Sequence, residues 1–361
     1  MDTLAEGSLL QAVPSSLPDL VYAPDIEAPI TRKLGKRGFL YYDAEGHRIA
    51  DRAEIERINR IAVPPAYRNV RIASDPRAHL QAVGWDERGR KQYRYHALWT
   101  EGRGEAKFSL LTDFAEALPL IRERVDADLR RRKPDRDKAL ASVVWIIDNL
   151  LIRVGNPAYV RDNGSFGATT LRNRHVAIDG SEVRFRFRGK SGKEWRLSHR
   201  DRRITRTLRT LQELPGQQLF QYMDAEGALH PVRSQDVNAY IREATGADFS
   251  SRQFRTWGAT RLAAVELSRL DENVSERERK RMTNSVIDKV AARLVNTRAV
   301  CRSSYIHPTV LEGFEEGSLK DLWTLRLSRS ERLRRWLDED ELRVLQWLRQ
   351  AQQARAAPFQ P

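Results

Sequence analysis

Residues 137–155 read DKALASVVWIIDNLLIRVG. Apolar side chains recur on every side of this stretch, so no continuous polar face is left for water. A helix that is apolar all round belongs inside a core, and the stretch predicts a buried helix around which the chain is arranged. Asp137 is a candidate N-cap and Gly155 a candidate stop. Working back, AKFSLLTDFAEALPLIRERVDADLRRR at 106–132 spaces Phe108, Leu111, Phe114 and Leu118 three to four residues apart, a helical period. Before that the pattern is different. GFLYYDAEGHRIAD (38–51) reads strand, turn, strand about Glu45-Gly46, and DRAEIERINRI opens a short helix at Asp51. AYRNVRIAS (66–74) and KQYRYHALW (91–99) are further strands. TEGRGEAK (100–107) predicts a linker, and residues 1–28, rich in Pro, Ser and Ala, predict a loose tail.

Working forward, HVAIDGSEVRFRFRGKSGKEWRLSH (175–199) interrupts the helical pattern with strands. Asp179-Gly180 is a two-residue hairpin signal. Val183, Phe185 and Phe187 alternate with Arg184, Arg186 and Arg188, which gives one apolar and one cationic face. GKSGK is a second turn with Lys190 at its tip. Helical patterns then continue to LDEDELRVLQWLRQAQQA at 337–354. The expected fold class is α+β. A flexible tail (1–28) precedes a small β-rich N-terminal domain (29–104). A larger, mainly α-helical domain with an inserted β-hairpin region follows (105–313), then a charged helical C-terminal tail (314–361).

The chain has 361 residues, 40% of them hydrophobic, and a formal net charge of +14. That length and apolar content allow two domains with cores. The cationic excess attracts a polyanion, whether nucleic acid, an anionic membrane or an acidic protein. No apolar run reaches the roughly 18 residues of a membrane-spanning helix, and the acidic N-terminus lacks the basic region of a signal peptide. The single cysteine, Cys301, excludes an intrachain disulfide and fits a reducing compartment, so the expected location is cytoplasmic. One cysteine and seven scattered histidines offer no zinc spacing, so no metal site is expected.

Four residues carry candidate chemistry. Lys190 lies in GKS, but the phosphate-loop pattern needs a glycine six residues earlier and Arg184 stands there, which argues against an NTPase. A lysine at a hairpin tip is commonly a solvated turn, while the neighbouring arginines favour contact with phosphates. Arg153 ends the buried helix, where the helix dipole favours a cation in any case. Arg255, in SSRQFRTWGATRL (250–262) after a capping Ser250 or Ser251, lies close to Phe254 and Trp257; its partner is a carboxylate or a phosphate. Tyr305, in NTRAVCRSSYIHPTV (296–310), is either an amphipathic core edge or a nucleophile in a basic pocket. The set has a shared chemistry. A phosphodiester in transfer gathers charge on its non-bridging oxygens, which arginine forks match. A tyrosine attacks phosphorus covalently, and a lysine protonates the departing oxygen.

LLIRVGNPAYVRDNGSFGATTLRNRHV (150–176), FRGKSGKEW (187–195), FRTWGAT (254–260) and CRSSYIHP (301–308) stand in the order and approximate spacing of the type IB DNA topoisomerases, especially the short bacterial and poxviral form. GWDERGRKQYRYH (84–96) resembles the segment with which that family grips duplex DNA. The resemblance spans residues 28–311. It implies a C-shaped clamp on DNA, with Tyr305 as the nucleophile that forms a 3′-phosphotyrosine and frees a 5′ hydroxyl. It also implies Arg153 and Arg255 on the scissile phosphate, and Lys190 as general acid. Asn296 stands where poxviral members have histidine and bacterial members asparagine, and it would donate to a phosphate oxygen. Arg90, Tyr93 and Tyr95 match DNA contacts of the N-terminal domain. Arg252 replaces a lysine and, being always charged, would orient rather than donate a proton. LVNTR (294–298) carries Val295 and Arg298 where the bacterial motif has glycine and proline.

The resemblance further implies a monomer that needs no cofactor, nucleotide or membrane, acting on duplex DNA in the nucleoid. The alternatives are a tyrosine site-specific recombinase and a non-catalytic basic DNA-binding protein. The recombinases generally carry His-x-x-Arg at the second arginine, where this chain has RQFR (252–255).

Overall fold

The structure is a computed structural model and describes residues 20–87, 89–271 and 274–356. The chain divides between Ser109 and Leu110 into two compact units. Residues 1–19 of the expected tail lie outside the described residues. The part that is described, 20–28, is packed: Leu20 and Ile26 are buried and Val21 bridges Ala78.

The first unit is a five-stranded antiparallel sheet in the order β2-β1-β3-β4-β5. Its strands are β1 (Ile30–Gly35), β2 (Gly38–Tyr42), β3 (Arg68–Ile72), β4 (Leu80–Trp85) and β5 (Lys91–Tyr95). Helix α1 (Arg52–Arg60) is capped by Asp51, whose carboxylate accepts from the Ala53 amide, as the sequence predicts. One face buries Ile30, Tyr41, Ile58, Val70, Ile72 and Ala82 against this helix. The expected linker at 100–107 is helical instead, within α2 (Ala97–Ser109). Trp99 and Phe108, both buried, anchor the two ends of that segment and override its glycines.

The second unit is mainly helical. α3 (Leu111–Leu129) and α4 (Arg136–Leu150) pack side by side. α4 is the buried helix expected at 137–155, with two corrections. Its N-cap is Asp135, whose carboxylate accepts from the Lys138 amide at 3.0 Å, while Asp137 lies in the first turn. Its end comes at Leu151, which adopts a left-handed conformation (φ 56°), four residues before Gly155. Gly155 serves a different purpose. A side chain at Gly167 would stand 2.6 Å from both the Gly155 backbone and the Arg153 carbonyl, so two bare backbones touch there.

After α5 (Pro157–Asn163) comes a three-stranded antiparallel sheet of β6 (Val176–Asp179), β7 (Glu182–Arg188) and β8 (Glu194–Arg200). Val183, Phe185 and Phe187 are buried while Arg184, Arg186 and Arg188 are exposed, as the alternation requires. Then follow α6 (Arg202–Gln212), the short pair β9 (Gln221–Met223) and β10 (Leu229–Pro231), α7 (Ser234–Thr245), α8 (Ser251–Ser268) and α9 (Glu276–Leu294). α10 (Arg298–Ser304), α11 (Pro308–Glu315), α12 (Glu331–Trp336) and α13 (Glu339–Ala356) complete the unit. α13 buries Leu342, Val344, Leu345, Trp347 and Leu348, so much of the charged C-terminal segment is core. Among the described residues no helix is long and apolar enough to cross a membrane.

Candidate active site

Tyr305 sits where α10 ends. Its amide donates to the Cys301 carbonyl at 3.0 Å, and its carbonyl accepts from the Thr260 hydroxyl of α8 at 3.2 Å. The same hydroxyl accepts from the His307 amide at 3.1 Å, so α8 grips the backbone just after the tyrosine. His307 is spent as the cap of α11, its Nδ1 accepting from Thr309.

The half-buried phenol hydroxyl bonds to two guanidinium groups, those of Arg255 and Arg153. Burial alone raises a phenol's pKa. Here the charges of Arg255 and Arg153 and their hydrogen bonds outweigh burial, and the pKa lies below the ordinary value.

Arg255 comes from the first turns of α8, whose N-cap is Ser250 in a capping box with Gln253. The residue is 3% exposed. One of its terminal nitrogens donates to the Leu151 carbonyl, and the other to the Leu294 carbonyl at 3.1 Å. Its guanidinium carbon lies 5.0 Å from the Tyr305 ring centroid and 6.0 Å from that of Trp195. Burial, reinforced by Arg153, depresses its pKa to about 10, so it stays charged at neutral pH. Among the described residues it pairs with no carboxylate, and its Nε is buried without a partner.

Arg153 lies on the loop that leaves α4, and the Gly155–Gly167 contact shapes that loop. The Arg153 carbonyl accepts from Ala168 at 2.8 Å and the Val154 carbonyl from Thr169 at 2.7 Å. Asn296 follows Val295, which caps α9 in the left-handed region with φ 47°. A β-branched residue tolerates this conformation poorly. The Asn296 Oδ1 accepts from Thr297 at 3.0 Å, while its Nδ2 is buried with no partner. Arg298 occupies the first position of α10 and pairs with Asp288, its Nε 2.7 Å from Oδ1. That is a position proline also tolerates.

Lys190 stands exposed at the β7–β8 turn. The turn is tight: Ser191 and Gly192 have positive φ, and a side chain at Gly189 would reach within 2.6 Å of the Trp195 indole nitrogen. Lys193, which the sequence reading passed over, lies two residues before Trp195 in extended backbone. It therefore shares the face that Trp195 turns toward Arg255. Its charge bears, with those of Arg255 and Arg153, on the buried Cys301 thiol, whose pKa burial raises. The repeated lysine of GKSGK was the available signal. Arg252 is exposed on the first turn of α8.

In the first unit, Tyr93 and Tyr95 are exposed on one face of β5, their rings stacked 6.2 Å apart, with the Lys91 ammonium 5.3 Å from the Tyr93 ring. Arg90 forks onto Asp86 at 2.6 and 2.8 Å, so an incoming anion would compete with that carboxylate. Asp43, Glu45 and His47 bring three ligand-type atoms within 4.8 Å at an exposed turn, where Asp43 already accepts from the His47 amide at 2.7 Å.

The site is thus a phenol and at least two fixed cations with spare buried donors, an arrangement that suits a bound oxyanion. Residues 97–324 match the family described as eukaryotic DNA topoisomerase I, catalytic core. Residues 38–86 match the N-terminal domain of bacterial DNA topoisomerase IB. The DNA topoisomerase 1B of Acanthamoeba polyphaga mimivirus is 31% identical over 284 residues, which is 77% of this chain and 84% of that protein. The DNA topoisomerase 1B of vaccinia virus is 26% identical over 108 residues, 30% of this chain and 34% of the viral one. Fold and matches together define an enzyme of the DNA topoisomerase class. Within that class, the chain belongs to the type IB family.

Proposed function

We propose that this enzyme relaxes supercoiled duplex DNA by cutting and resealing one strand, with Tyr305 as nucleophile. The phenol oxygen bonds to phosphorus and its proton leaves to solvent. The bond from phosphorus to the 5′ oxygen breaks, and Lys190 protonates that oxygen. The DNA 3′ end is then a phosphotyrosine; the free end rotates, and the 5′ hydroxyl re-attacks to expel the tyrosine. Arg153, Arg255 and Asn296 hold the non-bridging oxygens, while Arg90, Tyr93, Tyr95 and Arg252 contact the duplex as the two units clamp it. The ester conserves the bond energy, so the reaction needs no ATP, and the fixed cations serve the role a metal would otherwise have. The protein acts as a monomer on nucleoid DNA.

The observation that carries this reading is the Tyr305 phenol beside the buried Arg255 guanidinium, whose carbon lies 5.0 Å from the ring centroid, with the charges of Arg255 and Arg153 lowering the phenol's pKa against burial. The test is plasmid relaxation in EDTA without ATP, with the covalent adduct trapped by denaturant. Both supercoil signs should relax. Tyr305→Phe should bind DNA and never nick it, and relaxation by that variant removes Tyr305 from the mechanism. Lys190→Ala should slow cleavage by about 10²–10⁴-fold. A substrate with a better leaving group at the 5′ position should restore the rate, and failure to do so gives Lys190 another role.

A further inference from the structure

Residues past 324 lie outside the catalytic-core match, yet the C-terminal helix is wired to the site. Glu341, in the first turn of α13, is 4% exposed. Arg122 of α3 stands between it and Asp148. Its nitrogens reach the Asp148 carboxylate at 2.8 and 3.0 Å and the Glu341 carboxylate at 2.7 and 2.9 Å, and one also reaches the Trp336 carbonyl at 2.6 Å. Glu341 in turn accepts from the Trp257 indole at 3.1 Å and from the Asp338 amide at 3.1 Å. Burial opposes ionisation of Glu341, but bonds to Arg122 prevail and hold its carboxyl below the usual range.

Each partner sits next to a residue of the proposed chemistry. Asp148 is in the last turn of α4, three residues before Leu151, whose carbonyl aims Arg255, and five before Arg153. Trp257 is two residues beyond Arg255 on α8. A third contact comes from Trp347 of α13. A side chain at Gly313 would stand 2.5 Å from its ring, so the indole packs closely against α11, the helix that follows Tyr305.

We propose that Glu341 is a positioning residue for strand cleavage: through Arg122–Asp148 and through Trp257 it sets the places of Arg153 and Arg255, making α13 a working part of the active site. This rests on the phosphotyrosine reading above. Glu341 touches no substrate; it acts by geometry, and small displacements of aligned groups lower rates steeply.

The test compares Glu341→Gln with Leu345→Ala, a core truncation in the same helix, in the full-length protein. Melting temperature, DNA affinity and single-turnover cleavage across pH are measured on one duplex. Tyr305 is faced by Arg255 of α8 and Arg153 of the α4 loop, and the charges of these two and of Lys193 of the hairpin also act on the Cys301 thiol. If Glu341 aims the two arginines, Glu341→Gln slows cleavage by about 10- to 100-fold at neutral pH. It keeps DNA affinity within about twofold and moves the cleavage pH profile upward. Leu345→Ala, at an equal loss of melting temperature, leaves the profile in place. Equal slowing in both variants with unmoved profiles overturns the proposal and leaves α13 as packing only. Should Glu341→Gln not fold, Trp257→Phe, which removes the indole donor, is expected to show the same upward shift, and an unmoved profile there counts equally against it. Cleavage by Tyr305→Phe sinks the parent reading instead, and is scored separately.

Discussion

Arg255 is a guanidinium almost wholly withdrawn from solvent and, among the described residues, without a carboxylate partner. A buried cation in that state is stabilised by any anion that reaches it, and its partnerless Nε is one donor such an anion meets. Asn296 offers a second through its buried Nδ2. Replacing Asn296 by alanine should therefore slow cleavage by about 10²-fold, the scale of one lost oxyanion donor, with DNA affinity little changed; rapid-quench assays of the covalent adduct check this. The sign of the Tyr305 shift makes a further prediction. Its pKa is lowered, so the reactive phenolate gains population as pH rises, from below the usual phenol range near ~10. Arg153→Ala removes one of the charges responsible and should move the inflection of the cleavage profile upward. The residue types at Arg153, Arg255 and Tyr305 were legible in the sequence as a set. That Leu151 and Leu294 lend their carbonyls to Arg255 was not, because main-chain acceptors have no signature of their own.

At the level of elements, the alternation of β7 was readable because period two with a buried face admits one register. Helix ends were less so. Two aspartates compete to cap α4, and Asp135 wins because its extended backbone aims the carboxylate at the Lys138 amide. Asp135→Ala should cost about 1 kcal/mol in urea unfolding, and Asp137→Ala much less. Val295 was flagged as a departure from glycine, and the positive φ explains what the departure entails. A left-handed L-residue costs about 1–2 kcal/mol, part of which glycine returns as unfolded-state entropy. Val295→Gly should then raise stability by up to about 1 kcal/mol, read from the same urea titration; a loss would mean that Val295 packing outweighs the strain.

Across the whole molecule, net charge set the expectation of a polyanion partner, and the family membership agrees with it. Affinity for duplex DNA should fall steeply with salt, log K declining by about 0.9 per decade for each phosphate neutralised; filter binding over a range of salt concentrations measures this. The C-terminal segment was illegible because its apolar positions, Leu342, Leu345 and Leu348 among them, lie within a charged sequence. Only the tertiary surroundings of α3, α8 and α11 show that they are core. The acceptors that aim Arg255 are the carbonyls of Leu151 and Leu294, and a carbonyl is the same whatever side chain it carries and has no proton to gain or lose across physiological acidity. The aim of the cation therefore does not depend on the chemistry of either side chain and does not change with acidity.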